Sequence, residues 1–182
     1  MSYQAIVAGW HDFYVIAGTA SATLVGLLFV GLSLHLRVVV ARSDVRSLAR
    51  VTLSNFALIL FVALFMVIPQ GQSAVDFQLI GAGLVSIAVT APSLLAAGQT
   101  HRRVLRVQAL ILRFGLSAVS YVAVVVSGGL LFSSTEAAFT LLLAASIVLL
   151  FVSLRNTWDL LVTVGEMTLG AEGKSRSSRE SD

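Results

Sequence analysis

The chain has 182 residues, 57% of them hydrophobic and only 12% charged, against the roughly 25% charged of a soluble globular domain. Twelve basic and nine acidic side chains give a net charge of +3, but their uneven placement excludes an ordinary, evenly solvated surface. Cysteine is absent, which excludes a disulfide framework, a thiolate metal site and a cysteine nucleophile.

Five intervals carry no formal charge: 13–36, 51–75, 77–101, 114–135 and 137–154. Each meets the ~17–25 apolar residues that an α-helix needs to cross a hydrocarbon core. The pattern predicts an all-α, polytopic membrane bundle of five transmembrane helices. Its spans are about 13–36, 51–69, 77–97, 114–132 and 137–155, in one domain over residues 1–170. Residues 1–12 contain no Lys or Arg, and the first apolar run exceeds the ~7–15 residues of a signal-peptide core, so the first span is expected to be retained as a helix. Ser43 and Asp44 read as a cap two turns ahead of the second span, which Pro69 and Gly71 end. The third span opens on Ser73 to Asp76, an acidic capping box, and Pro92 is expected to bend it or be accommodated by its neighbours. A helical extension from about Thr100 puts Arg102, Arg106 and Arg113 near one face of the fourth. Ser133 to Glu136 reads as a capping box for the fifth. Beyond Arg155, the apolar residues Trp158, Leu161, Val162 and Leu169 lie opposite Arg155, Asp159 and Glu166 and predict an interfacial amphipathic helix over about 156–169. Gly170 and Gly173 mark its end, and 171–182 is expected to be a disordered cytoplasmic tail.

The connections alternate in charge. Asp12, Asp76 and Glu136 are the only charged side chains before the first span, between the second and third, and between the fourth and fifth. All twelve basic residues fall in the other two connections and the tail. The positive-inside rule then predicts the N-terminus outside and the C-terminus cytoplasmic. Arg42, Arg46, Arg50, Arg102, Arg106 and Arg113 are expected to contact anionic lipid headgroups at the inner face, not nucleic acid, because they flank apolar spans instead of lining a soluble face.

The first span carries Gly18, Ala22 and Gly26 at four-residue spacing, continued by Ser33. Such a stripe lets helices approach closely. Packing within one chain is the plainer reading, and a self-association seam or a pore-lining face is the sharper one. Asp12, Asp76 and Glu136 share one side of the membrane and suggest an external acidic mouth; their plainer reading is helix-start charges favoured by the macrodipole. No span interior holds Asp, Glu, Lys or Arg, and the polar groups there are Asn55, Tyr121 and scattered Ser and Thr. A proton-coupled carrier usually places an ionisable group near the midplane, which disfavours that class. Gly170 to Ser175 ends like a phosphate-binding loop but lacks its first glycine and a preceding strand, and Gly81-Ala82-Gly83 lies inside a span. His11, His35 and His101 lack metal-ligand spacing, and no nucleophile, base and orienting group are grouped. No enzyme, cofactor or metal site is expected.

The stretch Trp10-His11-Asp12-Phe13-Tyr14, followed by the small-residue run and Gly26-Leu-Leu-Phe-Val-Gly-Leu-Ser-Leu-His35, resembles the opening of small uncharacterised bacterial integral membrane proteins, actinobacterial ones among them. The resemblance covers residues 10–35 and implies a bacterial inner-membrane location with no attached activity. The expected function is a structural or interaction subunit that self-associates or binds another membrane protein. A homo-oligomeric ion channel or small-solute pore lined by the first helix is the alternative.

Overall fold

The computed structural model describes residues 3–99, 104–133 and 135–180. Six helices follow in order: α1 (Tyr3–Leu34), α2 (Leu36–Ala41), α3 (Ser43–Val67), α4 (Gln72–Gln99), α5 (Val104–Leu131) and α6 (Thr135–Glu180). No strand occurs among the described residues. Within α1, α3, α4, α5 and α6 lie five segments long and apolar enough to cross a membrane: Ile6–Leu34, Val45–Val67, Gln72–Ser93, Phe114–Leu131 and Glu136–Thr163. Helix is the form an apolar segment takes there, because hydrocarbon offers the backbone no hydrogen-bond partner and every N–H and C=O must be satisfied within the segment.

Local chemistry sets the helix ends. Ile68 precedes a proline, whose ring disfavours helical geometry at the residue before it. Ile68 is accordingly extended, with φ −72° and ψ 125°, and its N–H closes the last turn on the Leu64 carbonyl. Gly71 opens α4 by accepting from the N–H groups of Ala74 and Val75. The reciprocal amide pair of Gln70 and Gln78, at 2.8 and 3.1 Å, ties this turn together. Pro92 lies inside α4, which continues past it.

Helices α3, α4, α5 and α6 form a ring in which each packs on the next and α6 returns to α3. α1 stands outside the ring, packed mainly on α3 and touching α6. Consecutive ring helices joined by the short connections after Val67 and after Leu131 run antiparallel. The core is a single apolar cluster that includes Phe56, Ile59, Leu79, Tyr121, Leu142 and Leu149.

Several expectations are corrected. The anticipated caps do not form. Arg42 occupies the N-cap position of α3 without a side-chain cap bond, Ser73 already lies inside α4, and the Ser133 hydroxyl donates back to the Leu130 carbonyl, finishing α5 instead of starting α6. Beyond the last span, α6 runs unbroken through the stretch expected as an interfacial helix and most of the tail, 46 residues in all, or ~69 Å. Gly170 and Gly173 do not stop it because no described glycine has positive φ, the left-handed geometry on which a glycine C-cap depends. The last span accordingly extends to Thr163. The stripe of Trp158, Leu161 and Val162 is exposed on its flank, while Asn156 and Leu160 turn inward.

Candidate functional site

Three features combine polar chemistry with position: a buried network inside the ring, the outer face of α1, and the ends where charged residues gather.

The network joins α3 to α5, which face each other diagonally across the ring. The Asn55 amide donates to the Ser117 hydroxyl at 3.0 Å, and the Tyr121 hydroxyl donates to the Asn55 amide oxygen at 2.5 Å. Ser54 of α3 and Thr90 of α4 lie beside the Tyr121 hydroxyl, and the Thr90 hydroxyl donates to the Ser86 carbonyl of its own helix at 2.7 Å. All five residues are buried. Each lone polar group would be costly in hydrocarbon; Asn55, Ser117 and Tyr121 satisfy one another and fix which faces of α3 and α5 turn inward. Asn55 and Tyr121 were legible as the unusual polar residues of the span interiors. Their pairing was not, since 66 residues separate them.

Around this centre the helices come close where glycine removes the side chain. A Cβ on Gly128 of α5 would stand 2.9 Å from the Asp76 carbonyl oxygen and 2.8 Å from Ile80 Cγ1 of α4. A Cβ on Gly83 of α4 would stand 2.5 Å from Val125 Cγ2 and 3.2 Å from the Tyr121 carbonyl oxygen of α5. The two glycines are reciprocal, each making room for the other helix. On the other side, Gly18 of α1 fits against Ala63, whose Cβ would be 2.9 Å from a Cβ at position 18. The Ser21 hydroxyl reaches across to the Phe56 carbonyl at 2.6 Å.

The small-residue stripe of the first span is therefore divided. Gly18 is buried on α3, whereas Ala22, Gly26 and Ser33 are exposed. Nothing lies within 4 Å of a Cβ placed on Gly26. The exposed face of α1 contains Ala8, Asp12, Val15, Thr19, Ala22, Gly26, Phe29 and Ser33, at alternating steps of four and three. The expected four-residue stripe drifted around the helix, because 3.6 residues per turn do not keep positions 18, 22, 26 and 33 on one line. The hydroxyls of Thr19, Thr23 and Ser33 are spent on their own helix, donating to Val15, Thr19 and Val30 carbonyls respectively.

The three carboxylates expected at an external mouth differ in exposure. Asp12 and Glu136 are exposed, but Asp76 is 1% exposed because α4 begins at Gln72 and turns position 76 toward α5. No three His, Cys, Asp or Glu side chains gather as a metal site among the described residues. At the opposite ends of the helices, Arg42, Arg46 and Arg50 are exposed on and beside α3. Arg102 lies outside the described residues, and so do the side chains of Arg106 and Arg113, whose backbone belongs to α5.

Asn156 and Ser153, one helical turn apart on α6, are buried. Both polar atoms of the Asn156 side chain and the Ser153 hydroxyl lack a partner among the described residues.

No family model matches the chain, and neither the curated proteins nor the solved structures contain a match. The class defined by fold and geometry is that of an all-helical, multi-pass membrane protein with five candidate spans.

Proposed function

We propose that this chain is an inner-membrane interaction subunit that associates with a second copy of itself through the outer face of α1. The observation that carries this reading is the exposed run Ala8, Asp12, Val15, Thr19, Ala22, Gly26, Phe29 and Ser33. Its alternating spacing is the seam of a left-handed helix pair, crossing at about 20°. Ala22 and Gly26 at its centre permit close backbone contact, which drives association where lipid offers no hydrophobic gain. α1 is free to present this face because only one side of it packs on the ring.

The alternation of charge supports an orientation with Asp12 and Glu136 outside and the arginines cytoplasmic, where Arg42, Arg46 and Arg50 would meet anionic headgroups. A periplasm-active reporter fused after Asp182 should then be inactive. An active fusion would reverse the orientation.

Because the chain has no cysteine, single cysteines report contacts directly. Gly26→Cys and Ala22→Cys should give crosslinked dimers in native membranes, Ser117→Cys should not, and Gly26→Leu should leave the particle monomeric in detergent. A wild-type chain that is strictly monomeric in membranes refutes self-association. A crosslink to a different membrane protein would keep the face and change the partner.

A homo-oligomeric pore lined by α1 is the second reading, favoured by Thr19, Thr23 and Ser33 on the exposed face. It is weakened by their hydroxyls being engaged on their own helix and by the burial of Asp76. Conductance in liposomes that is unaltered by neutralising Asp12 and Glu136 would count against a charged mouth.

A further inference from the structure

A groove of about 430 Å³ runs along the outside of the ring between α3 and α4, away from the α1 face. The two helices are antiparallel, so Arg50 and Val89 border one end and Phe65 and Gln78 the other. Between them the walls are apolar: Leu53, Ala57 and Phe61 from α3, and Ala82 and Val85 from α4. Phe61 and Phe65 stack with ring centroids 6.1 Å apart at the far end. Among the described residues its hydroxyls are those of Ser54 and Ser86, both buried.

Charge and length together select an occupant. Among the described residues Arg50 is the one charged residue lining the groove, and no carboxylate is paired with it there. It stands inside the Val45–Val67 span, where a guanidinium must extend toward the interface and needs an anionic partner. From Arg50 to Phe61 is eleven residues, ~16 Å along the helix, which matches the ~15 Å of one leaflet of a ~30 Å hydrocarbon core. A molecule with an anionic head at Arg50 and an apolar chain one leaflet long satisfies both ends.

We propose that the α3–α4 groove is a binding site for one anionic phospholipid, with its phosphate on Arg50 and one acyl chain lying along Leu53, Ala57, Phe61, Ala82 and Val85. The guanidinium supplies paired donors that suit phosphate oxygens. Helix α4 then carries a lipid as a third packing partner, beside α3 and α5. This site is independent of what binds α1, and it differs from a general basic surface because it has a fixed apolar slot behind the charge.

The full-length protein in detergent, titrated with phosphatidylglycerol or phosphatidylcholine of identical acyl chains and observed by native mass spectrometry, tests the site. The wild type should retain one phosphatidylglycerol in preference to phosphatidylcholine. Arg50→Ala should lower that retention about tenfold, the scale of one lost charge-assisted contact, while Arg46→Ala, one turn away and outside the groove, should change it far less. Val85→Phe, at an exposed rim position, and Ala82→Phe should block the slot and reduce retention of both lipids without changing charge. Since the rim position carries no core packing, Val85→Phe keeps the test valid if Ala82→Phe fails to fold. Equal retention of the two lipids by the wild type overturns the proposal, as do equal losses with Arg46→Ala and Arg50→Ala or undiminished binding to Val85→Phe.

Discussion

The adjacent glycines at 128 and 129 of α5 separate tertiary packing from intrinsic helix preference. Gly128 is buried and Gly129 exposed. A Cβ at 128 would lie 2.9 Å from the Asp76 carbonyl oxygen and 3.3 Å from the Ile80 nitrogen, both backbone atoms that cannot swing aside, whereas a Cβ at 129 meets nothing within 4 Å. Alanine at either position gains the same preference, at most ~1 kcal/mol. At 128 it also incurs overpacking of ~1–3 kcal/mol, because α4 and α5 must move apart. The shared preference cancels in the comparison, so Gly128→Ala should be less stable than Gly129→Ala by ~1–3 kcal/mol, and 1.4 kcal/mol is tenfold in the unfolding equilibrium. Reversible denaturation in mixed micelles, followed by helix content and by Trp fluorescence, measures this difference. Equal stabilities, or a more stable Gly128→Ala, would refute the close α4–α5 contact.

Three further outcomes follow from named contacts. Tyr121→Phe should destabilise the bundle by leaving the Asn55 oxygen without its donor, and a double-mutant cycle with Asn55→Ala should give a coupling of ~0.6 kcal/mol, up to ~1.7; a coupling of zero would mean that the two side chains do not interact. Asn156→Leu should stabilise the protein by ~1–3 kcal/mol in the same unfolding measurement, since it replaces buried polar atoms without partners by an apolar group of similar size; destabilisation would reveal a partner such as an internal water. Gly18→Leu should detach α1 from α3, because the space at Ala63 admits no side chain, and the loss should appear as faster proteolysis near residues 35–42 while the rest of the bundle remains protected. Unchanged protection would place α1 elsewhere.

Much of the architecture is legible in composition and spacing. The five charge-free intervals predict five spans, and five segments of the helices qualify as such; Pro69 predicts the end of α3, which falls at Val67. Cap assignments failed for a common reason. A Ser followed three residues later by an acid is a local pattern, but in Ser73 the preceding Gln72 is already helical, and in Ser133 the hydroxyl found a nearer carbonyl behind it. Helix α6 continues through Ala171, Glu172 and Lys174, a stretch whose polar composition gives no such signal, because a helix propagates once the span has supplied a nucleus. Gly18 and Gly26 look equivalent in the sequence, since both are small residues of one apolar helix.

Sequence alone determined that the chain carries five segments long and apolar enough to span a membrane and where its charges gather between them, because transfer into hydrocarbon acts on each segment separately and is recorded in local composition. Tertiary structure decided which polar groups meet, that Asp76 turns inward, that Gly18 packs on Ala63, and that Ala22 and Gly26 face outward. Those outcomes depend on the rotation and neighbour order of whole helices, which follow from the mutual fit of surfaces far apart in the chain and are written in no single segment.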